Sequence, residues 1–226
     1  MGRSDSFDGA WLVVEYVHDP DGTFVGVVRQ RRVVEAVDEG RLRVTQTCGP
    51  APELTGHPMA AFSGEWVFDL EVAGPHRHYL GPDVIGLGTQ WQPGAMTGSG
   101  VWPRFGHEFT SYGVLVRPDR QLTGGFFSLA GRPIADIVGV AVPESTGVEP
   151  TLDLEADLVP LDDSWMLTRT VGPLSVAIDR PSPTIERRLL TMNDPVGGVM
   201  LAIEEHTTFG DERAVATVIQ VTRSAS

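Results

Sequence analysis

The sequence contains no lysine, so all 17 of its basic residues are arginine. Without a lysine amine the chain cannot form a Schiff base with a carbonyl substrate or with pyridoxal phosphate, and it has no Walker-type phosphate loop. Cysteine is almost as scarce, since Cys48 stands alone. A single cysteine excludes an intrachain disulfide and a multi-cysteine zinc site. We interpret Cys48 as a buried, unreactive thiol, because the sequence shows no basic partner for it.

Long apolar runs and an excess of positive charge are also missing. No stretch of about 18 apolar residues occurs, and the opening residues MGRSDSFD lack the apolar core of a signal peptide. The 30 acidic residues outnumber the 17 basic ones and give a formal net charge of −13, which repels nucleic acids and anionic membranes. We therefore expect a cytoplasmic protein, with the composition of a GC-rich bacterium, that binds neither nucleic acid nor membrane.

Apolar and polar residues alternate along most of the chain, which is the pattern of half-buried antiparallel strands. In 62–72 (FSGEWVFDLEV), the aromatic and aliphatic residues Phe62, Trp66, Phe68, Leu70 and Val72 share one face, while Glu65, Asp69 and Glu71 share the other. Similar alternation predicts strands at 11–18, 23–36, 41–47, 84–91, 106–117, 121–129, 133–142, 151–159, 165–171, 185–192, 198–208 and 213–222.

Turn-forming residues such as Asp19-Pro20-Asp21-Gly22 separate these segments. Regularly spaced strands joined by tight turns predict an all-β fold, an antiparallel meander closed into a barrel with little helix, because closure removes exposed strand edges. One segment carries a helix start signal, the Ser-Pro of 182–188. The residues that follow it, LLTM, fit a strand equally well.

Two segments share the pattern Phe-x-Gly-x-Trp, namely Phe7–Trp11 and Phe62–Trp66. Gly-x-Trp at the opening of a first strand resembles the lipocalin or calycin signature, carried here by Gly9 and Trp11 or by Gly64 and Trp66. The resemblance implies a lipocalin-like barrel in which the tryptophan closes one end and the lumen holds an apolar small molecule. We expect residues 1–6 to be disordered and residues 7–226 to form a single barrel domain. This domain could consist of two related halves, 7–61 and 62–226.

The segment GPHRHYLG (74–81) places His76 and His78 on one face of an extended chain. Gly-Pro pairs on both sides confine it to a short strand of the kind found at the rim of a barrel. Cupins are β-barrels that also use His-x-His, but a cupin-like site needs a glutamate about four residues further on, and here Asp83 is the first carboxylate. We expect the two imidazoles to transfer protons or orient a ligand, with no metal; a cupin-like metal-dependent enzyme using both is an alternative.

Residues 86–113 interleave glycines with aromatic residues. Glycines let the backbone approach a ligand closely, and aromatic rings provide large apolar walls. Our candidates for ligand contact are Tyr79, Trp91, Met96, Trp102, Arg104 and Phe109. Alternation on 106–117 puts His107, Phe109 and Ser111 on one face and Glu108 and Tyr112 on the other, and either face could line the lumen.

Histidines and acidic residues cluster with these aromatics more than a simple carrier requires. We therefore expect a cofactor-independent enzyme, a cyclase, isomerase or lyase, acting on an apolar or aromatic natural-product-like small molecule. The catalytic candidates are His76, His78, His107, Glu108 and Tyr112. The alternative is a non-catalytic, lipocalin-like binding protein, and a homodimer is possible in either case. Arg29, Arg31 and Arg32 could hold a carboxylate, but we interpret them as cations that balance the acidic surface.

Overall fold

The computed structural model describes residues 7–151 apart from Gly22 and Pro93, together with the backbone of five strands in the remainder of the chain. The chain divides into two compact units, Met1–Thr151 and Leu152–Ser226. Two of the sequence predictions, disorder over 1–6 and a strand over 151–159, fall on residues outside this description, save for residue 151.

The first unit is a closed antiparallel barrel of ten strands. Each strand pairs with the next along the chain, and the first pairs with the last. The predicted all-β meander closed into a barrel is thus confirmed. The strands are β1 Gly9–His18, β2 Phe24–Asp38, β3 Arg41–Pro50, β4 Gly64–Ala73, β5 His76–Leu80, β6 Ile85–Gln92, β7 Ala95–Trp102, β8 His107–Arg117, β9 Arg120–Leu129 and β10 Arg132–Pro143.

Helix is scarce in the part of the chain that the structure describes, as the alternation predicts. It consists of short 3-10 segments at Pro52–Leu54, Pro58–Ala61 and Glu144–Thr146. None of the helices in these described residues reaches the length and apolarity that crossing a bilayer requires.

The second unit contains a five-stranded antiparallel sheet in sequential order. Its strands are β11 Leu167–Val171, β12 Leu174–Ser182, β13 Ile185–Asp194, β14 Val199–Thr208 and β15 Ala214–Arg223. The helix start signal at 182–188 is therefore wrong: β12 ends at Ser182 and β13 begins at Ile185. Pairing of β13 with strands on both sides outweighs the local preference, because each backbone polar group gains a ladder partner.

The barrel is shorter than the sequence predicted. It closes within Gly9–Pro143, because β1 pairs with β10 over Trp11–His18 and leaves neither strand an open edge. A single barrel over 7–226 is thus corrected to one that ends before residue 144. The boundary between the proposed halves, 61/62, falls inside this barrel, in the connection between β3 and β4.

The two Phe-x-Gly-x-Trp segments occupy equivalent positions in the barrel. Gly9 opens β1 with a φ of 106° and Gly64 opens β4 with a φ of 112°, a left-handed conformation that favours glycine. Trp11 and Trp66 follow and are both buried. Three antiparallel pairings separate β1 from β4, so these strands run in opposite directions and the two motifs lie at opposite ends of the barrel.

The connection between β3 and β4 covers the end of the barrel that contains Trp66. Its side chains Leu54, Met59 and Phe62 are buried in the main hydrophobic core. Leu54 packs on the strand β2 at Gly26, where an added Cβ would lie 3.0 Å from the leucine Cγ. The absence of a side chain at Gly26 therefore gives Leu54 its space.

Replacing Leu54 with alanine should destabilise the barrel by about 2–5 kcal/mol, because a fully buried leucine leaves a cavity that cannot collapse completely. Chemical denaturation measures this loss as a lower midpoint. Leu80 is 49% exposed, so Leu80→Ala should change the free energy of unfolding by less than about 0.5 kcal/mol. If the two substitutions lowered the free energy of unfolding equally, the connection between β3 and β4 would not be packed against this end of the barrel.

Candidate functional site

The barrel encloses a cavity of about 560 Å³. Much of its wall is made of apolar and aromatic side chains that point inward from the strands and from the connection between β3 and β4, among them Val28, Phe68, Leu70, Trp102, Phe109 and Phe127. A cavity of this size and chemistry suits a small organic molecule.

A polar cluster interrupts this apolar wall on β1 and β2. Glu15, Gln30 and Arg32 all line the cavity. The amide Nε2 of Gln30 donates to Oε2 of Glu15, and Nη2 of Arg32 lies 3.7 Å from Oε1 of the same carboxyl group. The site therefore contains one potential acid or base, one cation and one amide that links them.

Burial controls the ionisation of the groups around this cluster. It raises the pKa of Glu15 above its ordinary value, and the nearby Arg32 and the hydrogen bond from Gln30 offset only part of that rise. Burial also raises the pKa of the Cys48 thiol to about 12, with a further contribution from Glu15. Cys48 borders the same cavity, but its thiol stays protonated at neutral pH and is a poor nucleophile.

The backbone opposite Glu15 makes room for its side chain. Glu15 pairs across β1 and β10 with Gly139, and an added Cβ at Gly139 would lie 2.7 Å from Cγ of Glu15. Any larger residue at this position would push the carboxyl group out of its present place.

Tyr79 and Ser111 form a second polar contact in the cavity wall. Both line the cavity, and burial raises the pKa of Tyr79 while its hydrogen bond with Ser111 lowers it. The tyrosine ring lies across glycines of two neighbouring strands: an added Cβ at Gly88 would be 3.3 Å from its Cε2, and one at Gly98 would be 3.1 Å from its Cζ. Glycines in this segment therefore accommodate the protein's own aromatic rings.

His76 and His78 lie on the outer face of the barrel. Along β5 the inward positions are Arg77 and Tyr79, both of which line the cavity, and the two histidines that alternate with them are exposed. Arg77 is held by the carbonyl oxygens of Gly74 and His76. The period of two puts both imidazoles on one face, as expected, but that face is turned away from the cavity.

His107 is buried among aromatic rings near the Trp66 end of the barrel. Its ring centroid lies 5.3 Å from that of Phe62 and 5.8 Å from that of Phe105, and neither ring nitrogen has a hydrogen-bond partner among the described residues. Burial lowers the pKa of His107, and His57 lowers it further. His57 accepts a hydrogen bond from the Met59 amide at Nδ1, which leaves its Nε2 to donate to Asp19 at 3.2 Å.

Of the other residues predicted to take part in the site, some line the cavity and some lie outside it. Met96, Trp102 and Phe109 line the cavity with Tyr79, whereas Arg104 stacks outside it over the Trp66 ring at 5.4 Å.

Glu108, on the opposite face of β8 from Phe109, accepts a hydrogen bond from Ser128 at 2.8 Å. Tyr112 borders the cavity, but its hydroxyl donates to the Ile137 carbonyl oxygen at 3.2 Å. The side chain of Trp91 lies outside the described residues.

Sequence reasoning missed Glu15 and assigned Arg32 to the surface. Of the three neighbouring arginines, Arg29 pairs with Glu149 and Arg31 with Glu144 at the surface, as interpreted. Arg32 alternates with Arg31 and turns inward with Gln30, on the face that also carries Val28 and Val34. A charged residue on a face that has valine on both sides of its polar pair was the signal that could have identified it.

No group of three or more histidine, cysteine, aspartate or glutamate side chains with the placement of a metal site occurs among the described residues. A cupin-like centre built on His76 and His78 would need a third ligand near them.

Comparison with known proteins leaves the family of this chain open. No protein-family model and no curated protein matches it. Among solved structures, an S-type phycobiliprotein lyase, CPES, from Guillardia theta superimposes with a TM-score of 0.46 at 10% sequence identity, covering 61% of this chain and 88% of that one. At this identity and score, nothing about the function of the present chain follows from the likeness.

Lowering the pH should destabilise the barrel through His107. A histidine whose pKa is lowered by folding contributes stability that is present above the unfolded pKa of about 6.5 and is lost as the pH falls below it. His107→Phe, which removes the titrating group and keeps an aromatic ring, should flatten the fall in the urea midpoint between about pH 7.5 and pH 5. His78→Phe, at an exposed position, should keep the wild-type slope; identical slopes in all three proteins would refute the assignment.

Proposed function

We propose that the barrel binds a predominantly apolar small molecule in its cavity and transfers a proton through Glu15, as a cofactor-independent isomerase, cyclase or lyase. One observation carries the proposal: a carboxyl group with a raised pKa projects from β1 into an apolar cavity large enough for such a molecule. Ionisable groups with perturbed pKa values in a cavity are characteristic of functional sites.

The hydrogen-bond pattern leaves one carboxyl oxygen available for proton transfer. Gln30 holds Oε2 of Glu15. Oε1 lies 3.7 Å from Nη2 of Arg32, which is beyond ordinary hydrogen-bond length. Oε1 is therefore the oxygen that can take a proton from a molecule in the cavity or return one to it.

The raised pKa suits Glu15 to acid–base work near neutral pH. A carboxylate with its ordinary pKa is a weak base, and the carboxyl group is almost never protonated at neutral pH. A raised pKa makes the carboxylate a stronger base and increases the protonated fraction that can act as an acid. As a base it acts in the ionised form, so activity should appear as the pH rises through the raised pKa.

A second candidate function is binding without catalysis. It is favoured by the polar groups that are already satisfied inside the protein, since Tyr79 bonds to Ser111 and Tyr112 to the Ile137 carbonyl oxygen. In a carrier the Glu15 cluster would only orient the ligand. The two functions differ in whether the loss of the carboxyl group removes turnover or only weakens binding.

Kemp elimination of 5-nitrobenzisoxazole tests for a buried carboxylate base without knowledge of the natural substrate. The base takes the hydrogen on C3, the C–H electron pair forms the nitrile, and the ring N–O bond breaks to give a coloured phenolate. The wild type should catalyse this reaction, and Glu15→Gln should reduce the rate by about 10²-fold or more, as expected for loss of general-base catalysis. The wild-type rate should rise with pH through a pKa above that of an exposed glutamate.

Glu71→Gln is the matched control, because Glu71 is an exposed carboxylate on the outer face of β4. It should react at the wild-type rate. Fluorescence titration with 1-anilinonaphthalene-8-sulfonate should show that the Glu15→Gln cavity still binds within about tenfold of the wild type, or roughly 1.4 kcal/mol. Equal reaction rates for Glu15→Gln and the wild type, with probe binding intact, would overturn the catalytic role and leave the carrier.

A further inference from the structure

Arg32 is a largely buried cation with unused hydrogen-bonding capacity at the cavity wall. Its side chain is only 15% exposed, it lines the cavity, and its Nε is buried without a hydrogen-bond partner among the described residues. A guanidinium group has five N–H donors and no acceptor. Such a donor is costly to bury unless an oxygen atom binds it.

The neighbouring side chains satisfy this cation poorly. Oε1 of Gln30 lies 3.4 Å from Nη2, and Glu15 is further away at 3.7 Å. The amide group of Gln30 is itself used to hold the Glu15 carboxyl group. Among the residues that the structure describes, the guanidinium group therefore has only weak acceptors, next to the residue that we assign as the base.

We propose that the substrate is an apolar carbonyl compound whose carbonyl oxygen is bound by the guanidinium group of Arg32 while Glu15 removes a proton from the adjacent carbon. The inference rests on the proposed role of Glu15 and adds the substrate class and the residue that selects it. Nη2 of Arg32 and Oε1 of Glu15 are 3.7 Å apart, so a carbonyl oxygen and the hydrogen on the neighbouring carbon of one molecule can contact one group each.

The reaction needs no oxidant or cofactor. The C–H bond breaks, its proton goes to Oε1 of Glu15, its electron pair forms a C=C bond, and the carbonyl π pair moves onto the oxygen, giving an enolate. If the substrate is a β,γ-unsaturated carbonyl compound, the enolate is a dienolate, and return of the proton from Glu15 to its γ carbon gives the conjugated isomer. Alternatively, attack of the enolate carbon on a second carbonyl group in the same molecule closes a ring, and the new alkoxide takes the proton back.

Arg32 acts on the charge that develops in this step. A fixed cationic donor in a largely apolar cavity stabilises an enolate oxygen more than the neutral carbonyl oxygen that precedes it. Other donors in the wall are less available, because the Tyr79 hydroxyl is bonded to Ser111 and Arg77 is held by backbone carbonyl groups and Gln90.

Binding of 4-nitrophenol tests this arrangement, because its planar phenolate resembles an enolate and its visible absorbance reports ionisation. In the wild type, bound 4-nitrophenol should ionise at a lower pH than it does free in solution. Glu15→Gln removes a competing negative charge and should bind the phenolate at least as tightly. Arg32→Met should weaken phenolate binding by about tenfold or more and abolish the shift in ionisation.

Matched variants keep the test decisive. Arg29 lies on the outer face of the same strand and pairs with Glu149, so Arg29→Met should bind 4-nitrophenol as the wild type does. Because Arg32→Met leaves Glu15 without its counter-ion, the Glu15→Gln/Arg32→Met double variant, which removes both charges of the pair, replaces the single variant if that one does not fold. The double variant too should bind the phenolate about tenfold or more weakly and show no shift in ionisation. A phenolate that binds equally well without Arg32 would overturn the proposal.

Failure of this inference is distinguishable from failure of the proposed function. Loss of Kemp elimination in Glu15→Gln together with Arg32-independent binding of 4-nitrophenol would retain the base and reject the carbonyl-binding role. An unchanged Kemp rate in Glu15→Gln would reject the base, whatever 4-nitrophenol shows.

Discussion

The pairing of β1 with β10 is the constraint on which the rest of the barrel depends. It places Glu15 opposite Gly139 and Val17 opposite Ile137, and it leaves no strand of the barrel with an open edge. In a closed sheet every register is fixed by its neighbours on both sides, and a slip of one residue would exchange the inner and outer faces of a strand. Closure therefore decides that Arg77 and Tyr79 face the cavity and that His76 and His78 do not.

The charged cluster in the cavity is difficult to explain by stability alone. Apolar residues of similar volume in place of a buried ion pair often leave a protein equally stable or more so. Here the pair is loose, with 3.7 Å between Glu15 and Arg32, and one guanidinium nitrogen has no acceptor in the part of the chain that the structure describes. Such an arrangement is better suited to a molecule that completes it, because the incoming oxygen would remove an existing cost.

The glycines of β6 and β7 have a different explanation from the one that the sequence suggested. We expected them to let the backbone approach a ligand. Instead Tyr79 lies over Gly88 and Gly98, and an added Cβ at Gly100 would be 3.0 Å from the Phe109 ring. The glycines thus let large rings lie flat against the wall, which leaves space at the centre of the barrel.

The sequence by itself determined most of the strands, most of the turns and the equivalence of the two Phe-x-Gly-x-Trp segments, because a period of two and a glycine-opened strand are local properties. It did not reveal β7, where glycines at two of the inward positions hide the alternation, nor β12, nor the end of the barrel at Pro143. The alternation assigned the residues of β8 to two faces but did not show which face lines the cavity. It also led us to interpret Arg32 as a surface residue. Only the tertiary structure decided these points, since the inner face of each strand depends on partners far away in the chain. Glu15 and Arg32 become one site only when β1 and β2 pair and the closed barrel shields most of both side chains from water.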